Sequence, residues 1–200
     1  MDGFVGQLDD RKTIKETLLV SDKISMPIIA DLCLSIVHWD EDMVRKLLHR
    51  GANVNEPTGD RYGNSVAHIA AKHSTPSIVK LILAQDPDLT VQNDFKESPL
   101  HIAVQEARFM GFEKENRLQW ISRGVVKPFL EAGADVRAVN NILQTPLHMA
   151  VCRDDIETVL LLIKFHARVD VKDAYGFTPA DYCQDKNPAI RYALNIFYTD

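Results

Sequence analysis

The sequence predicts an all-α fold, a solenoid of about five stacked helix-turn-helix repeats joined by β-hairpin or turn fingers, and three observations predict it. The tetrapeptide Thr145-Pro146-Leu147-His148 is written again 47 residues earlier as Ser98-Pro99-Leu100-His101, a further 33 earlier as Ser65-Val66-Ala67-His68, and 33 later as Thr178-Pro179-Ala180-Asp181. Apolar triplets at helical i, i+3, i+4 spacing recur in step with it: Val79, Ile82 and Leu83, then Val126, Phe129 and Leu130, then Val159, Leu162 and Ile163. Glycine-led segments, Gly51-Ala52-Asn53-Val54-Asn55 and Gly133-Ala134-Asp135-Val136, stand where those helices must end.

Taken in order, residues 1–26 lie outside the period as an N-terminal extension. Thr13-Ile14-Lys15-Glu16 has the form of a capping box leading into Leu18-Leu19, which predicts one short helix there. The repeat domain is expected over 27–200. Its first repeat, 27–59, combines an apolar helix (Ile28, Ile29, Leu32, Leu34, Ile36, Val37) with a second helix opened by Asp40-Glu41-Asp42 and striped by Val44, Leu47 and Leu48. Its tetrapeptide register falls on Ala30-Asp31-Leu32-Cys33, a mismatch that reads as a terminal, capping repeat.

The second repeat, 60–92, opens on the turn Asp60-Arg61-Tyr62-Gly63, with Ser65 as helix N-cap and Ile69-Ala70-Ala71 in a small-residue inner helix. The loop Glu56-Pro57-Thr58-Gly59 lengthens the connection before it. In the third repeat, 93–139, the second helix arrives 14 residues late, so an insertion over residues 107–121 must be housed between the paired helices. The fourth repeat, 140–172, is closest to ideal, with His166-Ala167-Arg168-Val169-Asp170 replacing the glycine-led terminator. The fifth, 173–200, starts at Asp173-Ala174-Tyr175-Gly176 and closes on a helix from Pro188 to Tyr198, where Ile190, Leu194, Ile196, Phe197 and Tyr198 are apolar on more than one side.

Composition excludes several functions. With 23 basic against 28 acidic residues and a net charge of -5, the chain lacks the basic field that drives phosphate binding, so no nucleic acid partner is expected. Cys33, Cys152 and Cys183 are odd in number and widely spaced, which fits free thiols in a reducing compartment. Small apolar packing is the expected role of Cys152 and Cys183. The first 20 residues have no secretory pattern, and no apolar run of about 18 residues is present to span a bilayer. No membrane partner is therefore expected, and a cytoplasmic or nuclear location is. GxSxG, HExxH, the Walker glycine loop and GxGxxG are all absent, so neither an enzyme nor a cofactor is expected.

Gly63-x-Ser65-x-Ala67-His68-x-Ala70-Ala71, Ser98-Pro99-Leu100-His101-x-Ala103, Thr145-Pro146-Leu147-His148-x-Ala150 and Thr178-Pro179, with the two glycine-led terminators, resemble the ankyrin repeat family. The resemblance covers Pro27 to the C-terminus and implies an ankyrin repeat solenoid. Within the family, the run Asn140 to Val151 resembles a repeat of the inhibitor-of-kappa-B branch, which binds Rel-type transcription factors.

His68, His101 and His148 occupy equivalent positions. A metal reading fails because equivalent residues of stacked repeats stand about 8–10 Å apart and form a row rather than a cluster. The resemblance implies instead that each bonds backbone and hydroxyl groups of adjoining repeats. It also implies a concave recognition surface of fingers and inner helices. Carried over by motif position, that surface comprises Arg61, Tyr62, Asn64, Lys72 and His73; Asp94, Phe95, Glu97, Gln105 and Glu106; Asn141, Ile142, Gln144 and Arg153; and Tyr175, Phe177, Asp185 and Lys186. Its aromatic groups ringed by charge have the make-up of a protein interface.

The insertion, with Phe109, Met110, Phe112, Leu118, Trp120 and Ile121 around Glu113-Lys114-Glu115-Asn116-Arg117, reads either as an extra helical hairpin or as a partner-docking element led by Phe112 and Trp120. The function expected is a non-catalytic protein-binding module (adaptor, scaffold or inhibitor), monomeric rather than homo-oligomeric, with a protein partner of unknown identity. The alternatives are an inhibitor-of-kappa-B-like sequestering protein, a pathogen effector mimicking a host scaffold, and a self-assembling structural subunit.

Overall fold

The structure, a computed structural model, describes residues 28–112, 118–122, 124–183 and 188–196, with 108–112, 118–122 and 196 described by their backbone. The expected helix after Thr13 lies outside the described residues, as do Phe197 and Tyr198.

Paired helices form the first two repeats: α1 (Ile28–Val37) with α2 (Glu41–His49), and α3 (Val66–His73) with α4 (Pro76–Leu83). In the third, α5 (Pro99–Gln105) is separated from α6 (Val126–Glu131) by strands β1 (Arg108–Phe112) and β2 (Leu118–Ser122). Then α7 (Pro146–Cys152) pairs with α8 (Ile156–Lys164), and a 3₁₀ turn (Pro179–Tyr182) precedes α9 (Pro188–Ile196). The inner elements α1, α3, α5, α7 and the 3₁₀ turn pack in sequence, while α2, α4 and α6 form the outer layer.

Two kinds of start signal set this pairing. The inner helices begin at Ser65, Ser98 and Thr145, extended residues whose capping boxes are completed by His68, His101 and His148 instead of the usual acid or amide. Pro99 and Pro146 take the first helical position, where a missing N–H costs nothing. The outer helices α2, α4 and α8 start on side-chain caps, Met43 N–H donating to Asp40 Oδ1 at 2.9 Å, Ile78 N–H to Thr75 Oγ1 at 3.4 Å and Thr158 N–H to Asp155 Oδ1 at 3.2 Å, whereas α6 follows Val125 without one.

Between the layers lies one continuous core. Ala70, Ala71, Ala103 and Ala150 are fully enclosed, so the inner helices approach closely, and Val79, Phe129 and Val159 fill the space behind them. The last helix uses its apolar positions the same way. Ile190 and Leu194, expected to leave that helix apolar on more than one side, are buried, and α9 packs on α8; Tyr192 is exposed.

Fingers are built on one repeated device. Asp60, Asn93, Asn140 and Asp173 each accept two backbone N–H groups on Oδ1, from the residues two and four positions on. This side-chain mimic of a turn forces the fourth finger residue into the left-handed region: Gly63 (φ 69°), Lys96 (φ 59°), Leu143 (φ 59°) and Gly176 (φ 83°). Successive fingers are then laced by single backbone bonds, Asp94 N–H to Tyr62 O (2.9 Å), Asn141 N–H to Phe95 O (3.0 Å) and Ala174 N–H to Ile142 O (2.9 Å). Leu143 carries a cost at its position that the glycines avoid, and its side chain is exposed. Leu143→Gly should therefore stabilise the protein by about 1 kcal/mol, seen as a higher urea midpoint with an unchanged slope.

Three expectations are corrected. The insertion is an antiparallel β-hairpin, with Arg108 facing Ser122 and Phe112 facing Leu118, and not a helical hairpin. Short apolar runs do not distinguish strand from helix by period alone. The inner helix of the fifth repeat shrinks to a 3₁₀ turn, with Cys183 just beyond it. Cys152, expected to pack, is exposed at the end of α7, whereas Cys33 and Cys183 are buried.

Candidate functional site

The described residues contain no helix long and apolar enough to cross a membrane, and no group of His, Cys, Asp and Glu arranged to hold a metal ion. The row of histidines has another use. Backbone N–H groups of Ser65, Ser98 and Thr145 donate to Nδ1 of His68, His101 and His148 at 3.1, 3.2 and 3.1 Å. With Nδ1 an acceptor, each proton sits on Nε2. From there it is donated to the next finger: His68 to Glu97 O (2.9 Å), His101 to Gln144 O (3.1 Å) and His148 to Phe177 O (3.2 Å). Burial holds all three below the ordinary imidazole value, His101 at about 4.

Both ends of the row are adapted. In the first repeat, the register falls on Cys33, a thiol pushed up to about 12 by burial and then by the charge of Asp60. The carbonyl left without a histidine, Asn64 O, accepts from the Thr58 hydroxyl at 2.5 Å instead. The lengthened loop before the second repeat supplies this substitute. In the fifth, Asp181 Oδ2 accepts from both Thr178 N–H and Thr178 Oγ1 at 2.7 Å, completing the capping box without a ring to reach onward.

A groove of about 310 Å³ runs from Cys33 and Thr58 across the second and third repeats. Nine of the expected residues line it: Arg61, Tyr62, Asn64, Lys72, His73, Phe95, Glu97, Gln105 and Glu106. Tyr62 and Phe95 form its finger wall, with ring centroids 6.0 Å apart. Arg61 lies over the Tyr62 ring, 4.6 Å from its centroid, and donates to the Tyr62 hydroxyl. Glu97 is half-buried, and its carboxyl is raised by that burial, with the Asn93 hydrogen bond and the Lys72 charge acting in the opposite sense.

The other expected residues lie elsewhere. Asp94 is exposed on the third finger, its Oδ1 crowding Gly63 so closely that an added Cβ would approach within 2.9 Å. Asn141 and Arg153 are exposed on the fourth repeat, and Tyr175 (68% exposed) and Phe177 (50%) on the fifth finger. Phe177 stacks edge-on against Tyr182 at 5.8 Å. Gln144 is engaged internally, donating to Asp173 Oδ2 (3.4 Å) and to the Tyr182 hydroxyl (3.3 Å). Asn64 is likewise tied down by Asp60 and Asn93. Phe112 and Trp120 are placed by strand backbone, and their side chains, with Asp185 and Lys186, lie outside the described residues.

Sequence reasoning missed the groove's floor, Ile69 and Ile102, each 7% exposed. The signal was present: each directly follows a repeat histidine. It also missed Leu143, which is exposed on the fourth finger where Ile142 is half-buried. Trp39, exposed with φ 61°, donates its indole N–H to His73 O beside the groove, and no motif pointed to it.

Residues 32–112 and 119–196 match the family model for ankyrin repeats (three copies), with the break falling inside the hairpin. Among curated proteins, the chain is 24% identical over 157 residues to neurogenic locus notch homolog protein 1 of Cricetulus griseus and 26% over 154 residues to that of Xenopus laevis. It is 27% identical over 152 residues to neurogenic locus notch homolog protein 2 of Homo sapiens. These alignments cover 68%, 66% and 66% of the chain and 6% of each relative's length, so the chain spans a small part of the proteins it matches. Capping boxes completed by histidine, a carbonyl bridge to each following finger and a family match on both sides of the insertion agree that the chain belongs to the ankyrin repeat family, whose repeats are protein–protein interaction modules.

Proposed function

We propose that this chain is a non-catalytic adaptor, scaffold or inhibitor that holds a protein partner on the concave surface of its fingers and inner helices, in the cytoplasm or nucleus. The observation that carries the reading is the groove between the Tyr62–Phe95 wall and the Ile69–Ile102 floor. Aromatic and apolar groups in a concave site, bordered by charges of both signs, have the anatomy of a binding hot spot and its rim. The exposed Tyr175 and Phe177 extend the same finger line toward the C-terminus.

The experiment is affinity capture with the intact chain and with a Tyr62→Ala, Phe95→Ala, Tyr175→Ala variant, each shown to be folded by circular dichroism and a cooperative melt. Loss of a specific partner from the folded variant supports the reading. Retention of every partner overturns it.

A further inference from the structure

Five charged side chains line the groove, and they are not equally satisfied. Asp60 is consumed by its own finger: Oδ1 accepts from Tyr62 N–H (2.8 Å) and Asn64 N–H (2.9 Å), and Oδ2 from Asn64 Nδ2 (3.3 Å). Arg61 is held on Tyr62. Lys72 and Glu97 act on one another. That leaves Glu106, half-buried, whose carboxylate makes no ion pair or hydrogen bond with another described residue. Its position compounds this. Glu106 is the C-cap of α5, where the unsatisfied carbonyls already present negative partial charge and a cation is the favoured residue.

Next to Glu106 the groove is apolar and small. Ile69 and Ile102 take equivalent positions in neighbouring repeats, about 8–10 Å apart by the packing distance of the helices that carry them. A volume of about 310 Å³ is at the lower limit for ligand pockets and suits a side chain or two rather than a helix. The half-buried Gln105, whose amide makes no hydrogen bond with another described residue, lines the same groove as Ile69, Ile102 and Glu106. Its amide offers both N–H donors and a carbonyl acceptor, so it can meet the N–H and the C=O of a peptide unit.

Resting on the reading above, we propose that the groove takes an extended segment of the protein partner that presents a leucine- or methionine-sized side chain to Ile69 and Ile102 and, beside it, a lysine or arginine to Glu106. The segment's alkyl group covers the floor, its backbone meets Gln105, and its charge neutralises the carboxylate at the end of α5. Glu106 sets the preference for a cation, and the Tyr62–Phe95 wall limits the width.

The test uses two synthetic peptides, acetyl-Gly-Leu-Lys-Gly-amide and acetyl-Gly-Leu-Glu-Gly-amide, titrated into the full chain and into its Glu106→Lys variant. Backbone amide chemical shifts of Ile69, Ile102 and Gln105 are the readout. The wild-type chain should bind the lysine peptide more tightly by at least about threefold, the yield of a partly exposed ion pair, and Glu106→Lys should reverse the order. The variant should fold at least as well as the wild type, because a lysine suits a helix C-terminus. Equal shifts with both peptides, or a preference that Glu106→Lys leaves unchanged, would overturn the charge assignment and leave the concave-surface reading standing. Absence of shifts at all three amides with either peptide would remove the groove as the peptide subsite, and the finger variants would then decide the broader reading alone.

Discussion

His101→Ala should destabilise the protein by about 3–5 kcal/mol, the range of a buried network losing one of its partners together with a side-chain-sized cavity. The ring is fully buried and answers three groups at once: Ser98 N–H at 3.2 Å, Ser98 Oγ at 2.8 Å and Gln144 O at 3.1 Å. Alanine would leave Ser98 N–H without its partner at a buried position and would take one of two donors from Gln144 O, which still accepts from Asn140 N–H at 3.0 Å. Because the bond to Gln144 O joins the third repeat to the fourth, the loss falls at an interior junction, where neighbouring repeats depend on each other. His101→Asn separates the two jobs. Its side-chain oxygen can still accept from Ser98 N–H but is too short to reach Gln144 O, so it should retain about half of the lost stability. Urea denaturation followed by far-ultraviolet circular dichroism measures both. Wild-type stability in the alanine variant would show that the bridges contribute nothing.

Acid should produce the second large effect. Burial lowers His68, His101 and His148 from the unfolded value of 6.5, His101 to about 4. Between the unfolded value and the folded ones, the unfolded chain binds more protons, so stability rises with pH across that window. The contribution is fully present above about pH 6.5 and is lost as the pH falls through the folded values, for His101 about 3 kcal/mol in all. Glu97, raised by burial, runs the other way: its contribution is present below its unfolded value and lost as pH rises through the folded one. Three imidazoles outweigh one half-buried carboxyl. Urea midpoints should therefore fall steadily from pH 7 to pH 4, and His101→Asn should flatten the slope. A flat profile in the wild type would contradict neutral imidazoles at these three positions.

The repeat architecture was legible because the tetrapeptide, the apolar triplets and the glycine-led terminators each mark one physical event, and all three recur in phase. The ankyrin resemblance, carried over through that register, implied a concave surface that includes Tyr62, Phe95 and Glu97, and all three line the groove. What escaped was local. Leu143 and Ile142 are adjacent and both apolar, and only the left-handed turn decides which is exposed. The hairpin escaped because five-residue apolar runs fit a strand as well as a helix. Thr58 escaped because its value depends on a histidine that is absent 25 residues earlier, at Cys33.

That substitution at the first junction has a mechanical meaning. Each later junction is clasped by a ring that is anchored at Nδ1 to its own helix and at Nε2 to the next finger, so pulling the repeats apart strains both attachments together. Thr58 instead satisfies Asn64 O from only six residues away, within the connecting loop itself, and carries no load from α1. The first junction therefore lacks that double anchor and relies on the packing of α1 against α3 and on bonds from other positions, the Trp39 indole N–H to His73 O and Asp88 N–H to Asn55 Oδ1 (2.8 Å).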